Sequence, residues 1–133
     1  NLDENITVIR HPSPIVTDAV GKLKNVNVID PLPHEEMVKR IANCKFLITD
    51  SGGLQEEGSF FNKKIIICRE TTERPEVLEH HGVLCKEPIN LSGLVESIQN
   101  KYIVDKPCPF GDGRSSEKIM EIIMKKNWNR NVK

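Results

Sequence analysis

The 133-residue chain lacks an excess of charge of either sign, a long apolar run and any paired cysteine motif. Nineteen Lys and Arg residues balance nineteen Asp and Glu residues, so the formal net charge is zero. This balance argues against non-specific binding to nucleic acid or to a membrane surface, because both need a basic excess. No apolar run approaches the roughly 20 residues of a membrane-spanning helix. The polar, acidic first residues predict that there is no signal peptide.

The cysteines show no pattern of a metal site or of a disulfide framework. None of the four forms a Cys-x-x-Cys pair or has histidines at zinc-finger spacing: Cys44, Cys68, Cys85 and Cys108. The histidines show no ligand spacing with a carboxylate either, so we expect no metal and no cofactor. Free thiols are typical of the reducing cytoplasm, which is where we expect this protein.

Short β-branched runs alternate with longer stretches that have apolar residues at helical spacing. The strand candidates are residues 6–9, 26–29, 46–48, 65–68 and 83–85. The helix candidates are residues 15–22, 34–43, 54–61, 91–100 and 115–126. This alternation predicts an α/β fold built from βαβ units around a parallel sheet. The length predicts one domain, residues 1–133, without internal repeats.

Three polar clusters lie where predicted strands end, at residues 10–12, 50–57 and 69–76. Ligands of open parallel sheets bind beyond the carboxyl ends of the strands, so we expect these clusters to border one crevice. The loop of residues 69–82 is long for such a fold, and long ordered loops are often functional.

The pair Gly52-Gly53 opens a predicted helix directly after a predicted strand. Glycine disfavours helices by about 1 kcal/mol relative to alanine, so its use twice here needs a reason. One interpretation is a phosphate site, because unpaired N–H groups and the helix dipole attract anions where no side chain blocks the backbone. Ser51 adds a hydroxyl donor. The alternative is a plain turn capped by Asp50 or Ser51. The absence of a following Gly-Lys-Ser/Thr excludes a P-loop.

The adjacent acids Glu56 and Glu57 follow one turn later. A carboxylate accepts two hydrogen bonds side by side, which suits the cis-diol of ribose, so phosphates and ribose together indicate a nucleotide. The alternative is a solvated helix face. Arg69 or Arg74 suits a diphosphate clamp or, alternatively, an ion pair with Glu70, Glu73 or Glu76. His11 lies between a strand end and two prolines, where a surface or packing role is the alternative to binding.

Three stretches together resemble the non-hydrolysing UDP-N-acetylglucosamine 2-epimerases: TDSGGLQEE at 49–57, RETTERPE at 69–76 and PFGDGRSS at 109–116. HPSPIV at 11–16 and NVNVIDPL at 25–32 have the order and spacing of that family. The resemblance covers nearly the whole chain but corresponds only to most of the family's C-terminal half. It implies a Rossmann-like parallel sheet with helices on both faces, one half of a two-domain glycosyltransferase-B-type fold whose active site lies between the domains.

The resemblance also assigns residues to the substrate. By motif, Ser51 and Gly53, with Gly52 between them, bind the diphosphate, Glu57 holds the ribose hydroxyls, and Arg74 lies near the phosphates.

Two further positions match the family less directly. His11 corresponds to a histidine of the cleft region, while Met37 stands where the family usually has an aromatic residue stacked on uracil. Methionine is polarizable and packs on a ring, but it stacks less well than an aromatic side chain.

The activity implied by the resemblance is epimerisation of UDP-N-acetylglucosamine at the carbon bearing the acetamido group, by elimination and re-addition of UDP. The family's catalytic acids belong to its N-terminal domain, so no catalytic residue is expected in this chain. We therefore expect an incomplete C-terminal domain that is inactive alone, needs its N-terminal domain and forms a homodimer when complete. Alternatives are a nucleotide-sugar glycosyltransferase or a non-catalytic UDP-sugar-binding remnant.

Overall fold

A computed structural model describes residues 5–98 and 103–125 of the chain. The chain divides into two compact units, residues 1–44 and 45–133. Both are α/β units with parallel strands, so the predicted alternation of strands and helices is confirmed. The prediction of one incomplete domain spanning residues 1–133 stays a prediction.

The first unit is a βαβα segment. Strand β1 (Thr7–Ile9) pairs in parallel with β2 (Asn27–Ile29), with Val8 opposite Val28. Helix α1 (Pro14–Val20) connects them, and helix α2 (His34–Asn43) follows. Proline is favoured at the first position of α1 because its fixed φ suits a helix and its missing N–H would have no partner there. The predicted bounds of α2 match the structure at both ends.

The second unit is built on a three-stranded parallel sheet with the order β3-β4-β5. The strands are Phe46–Thr49, Lys64–Ile67 and Gly82–Leu84. Helix α3 (Gly52–Phe60) connects β3 to β4. Helices α4 (Leu91–Ile98) and α5 (Ser115–Lys125) follow the sheet. The last residues of the predicted helices, 99–100 and 126, lie outside the described residues.

The core of the second unit lies on β4. Ile65, Ile66 and Ile67 are fully buried, as expected for a parallel strand covered on both faces. Val77 joins this cluster from a 3₁₀ turn, Pro75–Glu79, within the predicted loop of residues 69–82. That turn was not anticipated from the sequence. The loop is therefore anchored at its C-terminal end by a buried side chain.

Candidate functional site

The two adjacent glycines lie at the junction of β3 and α3. Ser51 has an extended backbone (φ −85°, ψ 130°) and is the N-cap of α3, which begins at Gly52. The Ser51 N–H donates to Thr49 Oγ1 at 3.1 Å, but the Ser51 side chain makes no capping hydrogen bond. The capped turn weighed as an alternative is thus not formed by the Ser51 hydroxyl. The first N–H groups of α3 keep their partial positive charge toward this end of the helix.

The two glycines differ in the room beside them. A Cβ placed on Gly52 would lie 2.5 Å from Glu73 Oε1, whereas a Cβ on Gly53 would have only Ser51 Oγ within 4 Å, at 3.9 Å. The Glu73 carboxylate therefore covers Gly52, while the space beside Gly53 is open. An anion can approach the helix at Gly53 without displacing a side chain.

The predicted polar clusters at residues 50–57 and 69–76 are brought together by contacts between α3 and the following loop. Gln55, which is fully buried on α3, accepts a hydrogen bond through Oε1 from Thr72 Oγ1 at 2.6 Å. Thr72 Oγ1 in turn accepts one from the Arg74 backbone N–H at 3.0 Å. The structure thus brings two of the three predicted clusters into contact. The third, residues 10–12, belongs to the other unit, and the shared crevice stays a prediction.

The adjacent acids of α3 have different surroundings. The Arg74 guanidinium donates through Nε to Glu56 Oε1, forming a part-buried ion pair. Glu57, half-buried, lies one residue further along, about 100° around the helix. The sequence alternatives for Arg74 included ion pairs with Glu70, Glu73 or Glu76, but its ion-pair partner is Glu56 instead. The ion pair expected within the loop is made by Arg69, whose Nη1 donates to Glu73.

The charges at this junction stabilise one another's ionised forms. The pKa of Glu73 lies below its usual value, first because its own backbone N–H donates to the carboxylate and then because Arg69 and Arg74 are near; partial burial opposes the shift. The hydrogen bond from Arg74 to Glu56 raises the pKa of the guanidinium. Arg74 therefore stays cationic beside the start of α3.

His11 and Met37 belong to the first unit. His11 is exposed at the end of β1, and its Nδ1 accepts a hydrogen bond from the Ser13 N–H at 3.2 Å. In a neutral imidazole this leaves Nε2 as the nitrogen that carries the proton. Met37 is half-buried in the first turn of α2. The roles of both residues in binding stay predictions.

Sequence reasoning missed the buried face of α3. Gln55, Gly58 and Ser59 are its buried residues, and their spacing of three and four residues marks one face of a helix. A face of small and polar residues is weak evidence of burial, because apolar side chains usually carry that signal. Within residues 5–98 and 103–125, no cluster of three His, Cys, Asp or Glu side chains could hold a metal ion. No described helix is long and apolar enough to cross a membrane.

The chain matches known proteins along nearly its whole length. A family model described as UDP-N-acetylglucosamine 2-epimerase matches residues 3–124. The UDP-N-acetylglucosamine 2-epimerase of Campylobacter jejuni is 37% identical over 144 residues, covering 99% of this chain and 37% of that protein.

Solved structures agree with this match. The UDP-GlcNAc 2-epimerase of Methanocaldococcus jannaschii in complex with UDP-GlcNAc and UDP superposes with a TM-score of 0.77 at 30% identity, covering 92% of this chain and 36% of that one. The S. aureus MnaA structure with UDP gives a TM-score of 0.81 at 27% identity, covering 94% and 36%. The chain thus spans little more than a third of the length of these relatives.

Proposed function

The chain belongs to the UDP-N-acetylglucosamine 2-epimerase family, and from this we propose that it supplies the UDP-binding part of such an enzyme. The observation that carries the proposal is the start of α3, where the helix N–H groups lie beside open space at Gly53. Helix N-termini of this kind bind phosphate groups. A relative that superposes on this chain was solved with UDP-GlcNAc and UDP.

The proposed contacts follow the surroundings of each side chain. The diphosphate lies at the open backbone of Gly53, next to Gly52, whose Cβ side is covered by Glu73, with the Ser51 hydroxyl as a further donor. Because Ser51 is exposed and makes no capping bond, its hydroxyl is available there. Arg74, held beside α3 by Glu56, adds positive charge near the phosphates.

The nucleoside is proposed to contact three other residues. Glu57 accepts hydrogen bonds from the two ribose hydroxyls, as the family resemblance implies, and its neighbour Glu56 is paired with Arg74. Met37 packs on the uracil, and the Nε2–H of His11 donates to the substrate in the cleft of the complete enzyme.

The proposed reaction inverts the carbon that bears the acetamido group. A base removes the proton from that carbon while the bond between the sugar and UDP breaks, which leaves a glycal and free UDP. UDP then adds back as the proton returns to the opposite face. Fixed N–H donors and Arg74 stabilise the charge that develops on the departing diphosphate, the role of preorganised electrostatics in catalysis. The acid and base are proposed to lie in the part of the relatives' length that this chain does not span.

Location and assembly belong to the same proposal. The four cysteines are free thiols, which supports a reducing compartment such as the cytoplasm. The complete enzyme is proposed to be a homodimer, and sedimentation of the complete protein measures this directly.

The proposal is tested by placing a side chain at Gly53. Gly53→Val fills the open space beside the helix N–H groups, so we expect UDP affinity in calorimetry to fall at least about tenfold. Gly93→Val is the matched control. Gly93 lies on α4 with no atom within 4 Å of its Cβ position, and the substitution changes the helix propensity in the same way as Gly53→Val. Unchanged UDP affinity in Gly53→Val, with far-UV circular dichroism unchanged in both variants, would refute the site.

A further inference from the structure

We infer that Gln55 and Thr72 are positioning residues that hold Arg74 for recognition of the diphosphate. This inference rests on the proposed function, since it concerns how that site is kept in place. Neither residue is among those that the family resemblance assigns to the substrate. The inference rests on contacts that join α3 to the loop of residues 69–82, through Thr72 and Arg74.

The direction of each hydrogen bond in this chain of contacts is fixed by chemistry. The backbone N–H of Arg74 is only a donor, so Thr72 Oγ1 accepts from it at 3.0 Å. The single proton of the Thr72 hydroxyl is then donated to Gln55 Oε1 at 2.6 Å. Thr72 thus links the buried side chain of Gln55 on α3 to the backbone of Arg74 and holds that backbone in place.

The side chain of Arg74 is held by the same helix. Its Nε donates to Glu56, the residue next to Gln55. Arg74 is therefore fixed to α3 at two points, through its backbone by Gln55 and Thr72 and through its guanidinium by Glu56. A residue held at both its backbone and its side chain loses little further conformational entropy when it contacts a ligand, which favours binding.

The cost of burying Gln55 supports a positioning role over simple packing. Gln55 is fully buried, and its Nε2 makes no hydrogen bond among the described residues. An unpaired buried amide N–H is unfavourable, and an apolar side chain of similar size would fill the same space without it. The feature that an apolar residue could not supply is the acceptor for Thr72.

The segment that Thr72 orients includes the residue over Gly52. Glu73 lies between Thr72 and Arg74, and its Oε1 is the atom that a Cβ on Gly52 would meet. Arg69 pairs with the same carboxylate. The hydrogen bond to Gln55 consequently sets the position of both charged groups that border the start of α3.

The test compares UDP with uridine, which lacks the phosphates, in variants of the 133-residue chain. Thr72→Val keeps the shape of the side chain and removes the hydroxyl, so UDP affinity should fall about tenfold while uridine affinity stays unchanged. Thr72→Ser keeps the hydroxyl and should bind UDP within about twofold of the unsubstituted chain. Thr71→Val is the matched control, since Thr71 is an exposed neighbour in the same loop, and it should leave both affinities unchanged.

A double substitution separates positioning from general loosening of the structure. If Thr72 acts through Arg74, Arg74→Met should cost much less UDP affinity in the Thr72→Val background than alone. Equal losses for UDP and uridine in Thr72→Val, full additivity with Arg74→Met, or no rescue by Thr72→Ser would each overturn the inference. In those cases the unsubstituted chain still binds UDP, whereas no UDP binding by the unsubstituted chain overturns the proposed function and this inference with it.

Discussion

At the scale of single residues, the neighbouring acids Glu56 and Glu57 show how one helix assigns similar groups to different tasks. Consecutive helix positions point about 100° apart, so the two carboxylates cannot face the same ligand. Glu56 faces the loop and pairs with Arg74. The sequence resemblance assigns Glu57 to the ribose, and this role stays a prediction.

Glu57→Gln tests this division of roles. The change retains the size of the side chain but removes the charge, so we expect UDP binding to weaken by roughly 1–3 kcal/mol, the scale of hydrogen bonds to a charged group. Because the lost contacts are to ribose hydroxyls, the variant should also lose most of its preference for UDP over 2′-deoxy-UDP. Calorimetry with both nucleotides measures the two effects together.

Glu56→Gln provides the comparison for that prediction. We expect removal of the charge that holds Arg74 to lower the affinity for both nucleotides by the same factor, and so to leave the preference for the ribose 2′-hydroxyl intact. A loss of that preference in Glu56→Gln, with Glu57→Gln unaffected, would reverse the assignment.

At the scale of elements, helix α3 approaches the sheet closely because its buried face carries Gly58. A Cβ on Gly58 would lie 2.9 Å from Ile65 Cδ1 and 3.2 Å from Leu47 Cδ2. Ile65 is fully buried, so it has little space into which it can move. The same helix that presents N–H groups at its start is therefore held by contacts with β3 and β4 in its middle.

Gly58→Ala measures the importance of this close packing. Overpacking a core usually destabilises by about 1–3 kcal/mol, more than the roughly 1 kcal/mol that alanine contributes to helix formation. We expect a net loss in the free energy of unfolding, measured by urea denaturation. Gly93→Ala on α4 has no atom within 4 Å of its Cβ position, so it should instead stabilise the chain. A stabilised Gly58→Ala variant would show that α3 can move away from the sheet.

The elements with strong periodic or continuous apolar patterns were predictable from sequence. Helix α2 was predicted with the same bounds, and the continuous apolar run of β4 correctly indicated burial on both faces. The candidate range for α3 begins at Leu54, two residues after its first helical residue, Gly52, because glycine is a poor helix former. The expectation that the glycine pair opens this helix is confirmed.

The site contacts that the sequence did not predict join residues that are far apart in the sequence. The ion-pair partners considered for Arg74 all lie within five residues of it, whereas the carboxylate it pairs with, that of Glu56, is 18 residues away. The bond from Thr72 to Gln55 spans 17 residues. Such pairs depend on how the loop packs on α3, and the spacing of residues within one segment does not predict them.

At the scale of the whole molecule, three features support the proposal that the chain works with further polypeptide. It spans 37% of the length of its C. jejuni relative. Helix α5 carries exposed apolar side chains along its described length: Ile119, Met120, Ile122, Ile123 and Met124. In the described residues, β3 pairs only with β4, so its other edge has no strand partner. Exposed apolar surface and open strand edges both favour association with another chain.

The last prediction is that the 133-residue chain alone does not interconvert UDP-N-acetylglucosamine and its 2-epimer. Breaking the carbon–hydrogen bond beside the acetamido group needs a positioned base, and the reverse step needs an acid. Two acids near the start of α3, Glu56 and Glu73, are paired with Arg74 and Arg69 respectively, and a third, Glu57, is proposed to bind the ribose. We expect the isolated chain to self-associate and to show no turnover when the product sugar nucleotides are separated by chromatography. A polypeptide supplying the rest of the relatives' length should restore both a defined mass in light scattering and turnover, and the same mixture with Gly53→Val should not turn over. Turnover by a monomeric preparation of the 133-residue chain alone would contradict the prediction, because the acid and base would then have to lie among residues assigned here to binding or to structure.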